Sequence, residues 1–214
     1  MEDYYYAIDI PKTVYRNFNK SSWINKHFSV SYVGNCMELM TDFYKHTKIR
    51  THNGWENYYN NIVGFNNLTK IYDILEQRLD TKKEYIKKYI WHRVIGQTWN
   101  GFRNEIAVID ELQLEFPNTQ IKKTSFEIDH EYCIDAEMYI GDFLLLGIQI
   151  KPVSYISMNT AYQNRAKENH RKKNQQYKQK YAPYIYVYHK DHKIHRKQYV
   201  FDQINVISTL RKHF

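Results

Sequence analysis

No stretch of this 214-residue chain reaches the roughly 18 consecutive apolar residues that a membrane-spanning helix needs. Its first residues, MEDYYYAIDIPK, lack the basic-then-apolar order of a secretion signal. Together these absences predict a cytosolic protein with no membrane partner. Cysteine is scarce: Cys36 and Cys133 are far apart and form no close-spaced metal pair, so both are expected to be reduced and structural. Seven glycines and four prolines leave little material for long flexible linkers. The chain has no glycine-rich phosphate loop, which excludes the common nucleotide-binding motifs. Acids are the minority charge, 23 against 31 lysines and arginines, and the net +8 favours a polyanionic partner, nucleic acid before anionic membrane.

What is present suffices for a folded protein. Apolar residues make up 43% and charged residues 25%, values that exclude disorder. From Tyr4 to about Ile95 the pattern is mainly helical, most clearly where Leu68, Ile71, Tyr72, Leu75 and Leu79 recur at intervals of three and four. A second helical stretch covers Lys82 to Val94. Residues 1–95 are therefore expected to form a helical N-terminal region, and residues 96–214 a second body of different character. Trp55, Trp91 and Trp99 could stack on unpaired bases, although core packing is the simpler reading.

Within that second body, Asn100 to Pro117 reads as an amphipathic helix with Phe102, Ile106, Ile109, Leu112 and Phe116 on one face. Thr119 to Tyr132 carries strand signals. Ile134, Ala136, Met138 and Ile140 then alternate with Asp135, Glu137 and Tyr139. Gly141 and Asp142 turn the chain into the apolar run Phe143 to Ile150, which has the character of a central strand covered on both sides. Pro152 stops it. Asn159 to about Tyr181 has the composition of a polar helix, and Tyr184 to Tyr188 follows as a strand. A helix linking two strands of one sheet is a crossover, so this last strand should run parallel to the one before it. The fold expected is α/β, an αβββαβ core around a mixed sheet. Tyr199 to Phe214 closes the chain as either strand or helix.

Gln149 and Lys151 share one face of their strand, and Leu146, Ile148 and Ile150 the other. A three-residue loop, Gly141 to Phe143, or a bulge would place Asp135 opposite Gln149. A plain two-residue turn would set it against Ile148. The first arrangement gathers a carboxylate, an amide and an ammonium on one sheet edge, a grouping that suits phosphodiester hydrolysis. Asp135, the Gln149 carbonyl and the backbone oxygen of Ile150 offer hard oxygen ligands for Mg2+. Lys151 can orient or deprotonate the attacking water, or stabilise charge on the phosphorane.

Asp135, thirteen residues, then Gln149, Ile150 and Lys151, in that element order, resembles the PD-(D/E)xK nuclease signature over roughly Asn100 to Tyr188. Two departures stand out: no proline precedes Asp135, and glutamine replaces the second acid. The lost charge should weaken metal binding unless another acid compensates. In that superfamily a glutamate from the first helix often reaches the site, and the resemblance assigns this part to Glu105. Val94-Ile-Gly-Gln-Thr-Trp-Asn-Gly-Phe-Arg-Asn-Glu105 with Gln149-Ile-Lys151-Pro152 is also similar to type II restriction enzymes of the MjaI group, which cut at CTAG. The resemblance implies a homodimer that cleaves a short specific site in double-stranded DNA.

Ser154, Tyr155 and Asn159, just past the site, are candidate DNA contacts. From Ala161 to Lys180 seven basic residues, among them Arg165, Lys167, Arg171, Lys172 and Lys173, meet only Glu168 as an acid. Such a run is usually a solvated face, but its position after the site strand makes phosphate contact equally reasonable. Glu127, Asp129, His130 and Glu131 form a rival acidic group that strand alternation would scatter over two faces. His189, His192 and His195 recur every three residues without cysteine partners, a weak zinc signal. Two other functions stay open: a repair or junction-resolving nuclease of the same fold, and a nucleic-acid-binding module in which Gln149 marks a lapsed site.

Overall fold

The computed structural model describes residues 10–47 and 50–211. The chain forms two compact units, residues 1–102 and 103–214. Among the described residues of the first unit, helices follow one another: α1 (Lys12–Lys20), α2 (Ser22–Lys26), α3 (Val30–Val33), α4 (Cys36–His46), α5 (His52–Ile62), α6 (Phe65–Arg78) and α7 (Lys83–Trp91). The part of the helical expectation that covers Tyr4 to Asp9 lies outside the described residues. Side-chain caps start two of the helices, Asn35 accepting the Glu38 amide and Thr51 the Gly54 amide. Their apolar faces meet in a core where Phe43, Trp55, Tyr59, Ile71, Leu75, Ile86 and Tyr89 are fully buried. Trp99 is buried too, and the Trp91 indole donates to Glu56 at 2.7 Å. Packing thus accounts for Trp55 and Trp99.

A π-helical turn (His92–Gly96) leads into α8 (Gln97–Glu115). The second unit continues with β1 (Gln120–Lys123), α9 (Phe126–Tyr132), β2 (Ala136–Ile140), β3 (Phe143–Pro152), a short 3-10 turn (Val153–Tyr155), α10 (Ala161–Lys180), β4 (Tyr184–Lys190), β5 (Lys193–Ile194) and α11 (Lys197–Arg211). The strands lie in chain order, β1-β2-β3-β4-β5, with β3 and β4 parallel and every other pair antiparallel. This is the mixed sheet and αβββαβ core expected from the sequence, with α9 inserted between β1 and β2 and β5 added beyond β4. The open choice for Tyr199 to Phe214 resolves as a helix as far as Arg211, and residues 212–214 lie outside the described residues.

One strand reading is corrected. Thr119 to Tyr132 is not a single strand: β1 ends at Lys123 and α9 follows. Ser125 caps α9 by accepting the Ile128 amide, Glu127 and Asp129 sit in its first turn where the helix dipole favours acids, and Cys133 closes it in the left-handed region at φ 56. Ile128 and Tyr132 are four apart and both join the apolar cluster beneath α10, a helical spacing that outweighed the aromatic β-propensity.

The two faces of the sheet are covered differently. On one, Ala136, Met138, Leu146, Ile148, Ile150, Ile185 and Val187 pack with Val108, Ile109 and Leu112 of α8 and with Val200, Phe201 and Ile204 of α11. On the other, α10 lies against the sheet through Tyr177, which joins Tyr132, Ile134 and Ala182. Gly147 permits this approach, because a Cβ there would stand 2.6 Å from Tyr177 Cε1 and 3.1 Å from Ile134 Cγ2. The Tyr177 ring cannot easily yield: it is fully buried and its hydroxyl donates to Glu137 at 2.7 Å. Gly147→Ala is expected to destabilise the chain by about 1–3 kcal/mol through overpacking, read as a lower urea midpoint.

Candidate active site

The β2–β3 hairpin sets the site. Its turn is two residues long, with Ile140 paired to Phe143 and Gly141 at φ 58. Left alone, that turn would put Asp135 against Ile148. A bulge intervenes after Tyr139↔Leu144, so Met138 pairs with Leu146 and Ala136 with Ile148, leaving Leu145 as the extra residue on β3. Continued by one residue, the corrected register brings Asp135 alongside Gln149. Of the two solutions expected from the sequence, the bulge is the one adopted.

Asp135 is 4% exposed. Its Oδ2 accepts the Ile150 amide at 2.6 Å and Lys151 Nζ at 3.3 Å. Its own amide donates to the Ile148 carbonyl at 2.9 Å, and its carbonyl accepts the Thr124 amide at 3.2 Å. Both neighbouring strands therefore fix this residue. Burial alone would lower the Lys151 ammonium, but the charges of Asp135 and Glu105 prevail and hold it above its ordinary value, so it is protonated at neutral pH. Gln149 is fully buried, and among the described residues neither its amide oxygen nor its amide nitrogen has a hydrogen-bond partner. Leaving such a group unmet costs about 1–3 kcal/mol.

Glu105, on α8, forms an ion pair with Lys123 at the end of β1, and both side chains are largely buried. Burial raises the Glu105 carboxyl and the Asp135 charge adds to the effect, outweighing Lys123. Asp129 on α9 shows a related environment: burial raises its carboxyl, Asp135 adds, and Lys123 and Lys151 oppose. The electrostatic neighbourhood is therefore Asp135, Lys151, Glu105, Lys123 and Asp129. The last two were missed in the sequence as site members. The signal for Asp129 was the Ser125 cap and its trailing acids, which turn a strand with scattered side chains into a helix.

No group of three or more histidines, cysteines or acids is arranged to hold a metal among the described residues, which includes the His189, His192 and His195 triplet. The donors that fit a hard cation are of another kind. They are the Asp135 carboxylate, the unmet Gln149 carbonyl and the backbone of Ile150, whose amide is already anchored to Asp135.

Past β3, Ser154 and Asn159 are exposed, and Tyr155 turns inward, its hydroxyl 3.1 Å from His170 Nδ1. Thr160 and Gln163 form a reciprocal capping box at the start of α10. Arg165, Arg171 and Lys172 are exposed. Two other basic residues of this helix hold protein instead: Lys167 Nζ donates to the carbonyls of Ile156 (3.1 Å) and Met158 (2.7 Å), and Lys173 Nζ to that of His130.

The sequence model of the MjaI restriction endonuclease family matches residues 19–205, most of the chain. No curated protein and no solved structure matches it.

The unmet amide of Gln149 makes a stability prediction. Gln149→Leu removes two buried polar atoms at similar volume, so in EDTA the variant is expected to unfold at a higher urea concentration than the parent, by about 1 kcal/mol. A lower midpoint would mean that the amide is satisfied in solution.

Proposed function

This chain belongs to the MjaI restriction endonuclease family, and on that footing we propose that it is a type II enzyme hydrolysing both strands of a short specific double-stranded DNA site with Mg2+. One observation carries the assignment of the chemistry to this edge of the sheet: Asp135 and Lys151 are ion-paired beside a fully buried Gln149 whose amide has no partner among the described residues. An unmet buried amide next to a carboxylate is a place prepared for a ligand that supplies the missing contact.

Asp135, the Gln149 carbonyl and the Ile150 backbone oxygen would hold the cation, with Glu105 as the additional acid that compensates for glutamine at the second position. When bound, magnesium activates water and neutralises charge that develops on the phosphate. Lys151, ion-paired with Asp135, is placed to stabilise that charge. Exposed Ser154, Asn159, Arg165, Arg171 and Lys172 are the residues proposed to meet the DNA backbone and bases. Two cuts in a palindromic site call for two copies related by a two-fold axis, so the working form is a homodimer, with the helical region 1–95 as its dimerisation or recognition part. No helix among the described residues is long and apolar enough to cross a membrane. The cytosol is the proposed location.

Incubation of the purified protein with unmethylated plasmid tests the reading directly. Discrete fragments are expected with magnesium and none with EDTA. Lys151→Ala and Asp135→Ala should each slow cleavage by at least about 100-fold. Tight binding that leaves DNA intact in magnesium would overturn hydrolysis in favour of a binding module, and a smear without bands would overturn sequence specificity.

A further inference from the structure

The face of the sheet that carries Gln149 and Lys151 continues into an aromatic array that the reading above leaves unused. Gln149 is in register with Tyr186 and Lys151 with Tyr188 across the parallel β3–β4 pair, so these four side chains share one face. Tyr188 and Tyr186 are stacked at 6.0 Å and 13°, Tyr186 and Tyr155 at 6.5 Å and 23°, and Tyr155 and His170 at 6.0 Å and 6°.

Helix α10 runs back along the same face and acts as a ruler. Tyr177 lies over Gly147. Asn174, fully buried, accepts the Tyr186 hydroxyl at 2.8 Å, at the level of Gln149, and donates to the carbonyls of Tyr132 and Cys133 at 2.8 and 3.1 Å. From Tyr177 to His170 the helix rises about 10 Å, and from Gly147 the strand rises about 10 Å to Ile150 and about 13 Å to Lys151, so His170 comes to the end of β3 that carries Lys151. The charges of both Lys151 and Asp135 are felt at its imidazole.

We propose that His170 is a further residue of the active site, its Nδ1 held by the Tyr155 hydroxyl and its Nε2–H donated to a non-bridging oxygen of the phosphate that Lys151 faces. The proposal rests on the phosphodiesterase reading above and extends it. Burial, with the Lys151 charge adding, holds the imidazole below its ordinary value, so the ring is neutral and carries one N–H. Burial also raises the Tyr155 hydroxyl, which keeps its proton, and the proposed contact uses the tautomer in which that proton is donated to Nδ1 and the ring proton lies on Nε2. Tyr155 acts through His170 and is a positioning residue. Lys167, 5.4 Å over the Tyr155 ring and bonded to the carbonyls of Ile156 and Met158, braces the segment that carries it.

Single-turnover linearisation of unmethylated plasmid at saturating enzyme tests this. His170→Ala is expected to slow cleavage by about 100-fold, as loss of one transition-state donor does, and Tyr155→Phe by about tenfold. Plasmid retention in EDTA should change by less than about threefold, and the urea midpoint should stay near that of the parent. His170→Gln, whose amide nitrogen reaches the Nε2 position, should recover most of the rate, whereas His170→Asn, which reaches only Nδ1, should not. Parental cleavage by His170→Ala, or rescue by Asn equal to that by Gln, overturns the proposal and leaves only a bond that pins the turn. If the parent protein itself leaves plasmid intact in magnesium, hydrolysis falls. The contact is then judged by imidazole 15N shifts on adding short duplex DNA in EDTA, with movement of Nε2 but not Nδ1 sustaining it and no movement overturning it.

Discussion

A single carboxylate oxygen organises the edge of the sheet that carries the candidate site. Asp135 Oδ2 receives a backbone amide from the next strand and the ammonium of Lys151. The first bond fixes where the side chain lies, and the second fixes what is charged beside it. Because Asp135 is also anchored through its own amide and carbonyl to β3 and to the segment after β1, it cannot shift without disturbing two strand connections. The neighbouring charges settle around it. Lys151 stays protonated because Asp135 and Glu105 face it, and the carboxyls of Glu105 and Asp129 feel the negative charge of Asp135.

The price of such an arrangement is visible in Gln149. A glutamic acid there would add a fourth negative charge to a group that already holds Asp135, Glu105 and Asp129, with Lys123 and Lys151 to balance them. A neutral amide avoids that repulsion and still offers a carbonyl oxygen. Substitution at the second position of the signature is thus compatible with the electrostatics of this site.

Much of this was legible in the sequence because it rests on period-two alternation. Asp135, Gln149 and Lys151 could be placed on one edge from the strand pattern, and the demand that they face each other required an extra residue somewhere in the hairpin. The parallel β4 followed from the crossover through α10. Two things were not legible. Whether the extra residue sat in the turn or in the strand depends on packing around Leu145, which is buried and looks like any other leucine of the run. The helix α9 was hidden because Phe126 and Tyr132 read as strand formers, although Ser125 and its following acids carry a helix-start signal. That error left Asp129 in a rival acidic group whose members were scattered over two faces. Lys123, one of two adjacent lysines, revealed nothing until the fold set it against Glu105.

The bulge at Leu145 separates the length of the hairpin turn from the alignment of the candidate site residues. Only the combined number of turn and bulge residues fixes which residue of β3 meets Asp135. A chain that gained one residue at Gly141–Asp142 and lost Leu145 would keep Asp135 beside Gln149. A single insertion or deletion at either place alone would rotate the whole set to the opposite face. Paired length changes across this hairpin are therefore the form in which its divergence can be tolerated, and alignments of such chains should carry gaps on both sides of the turn together.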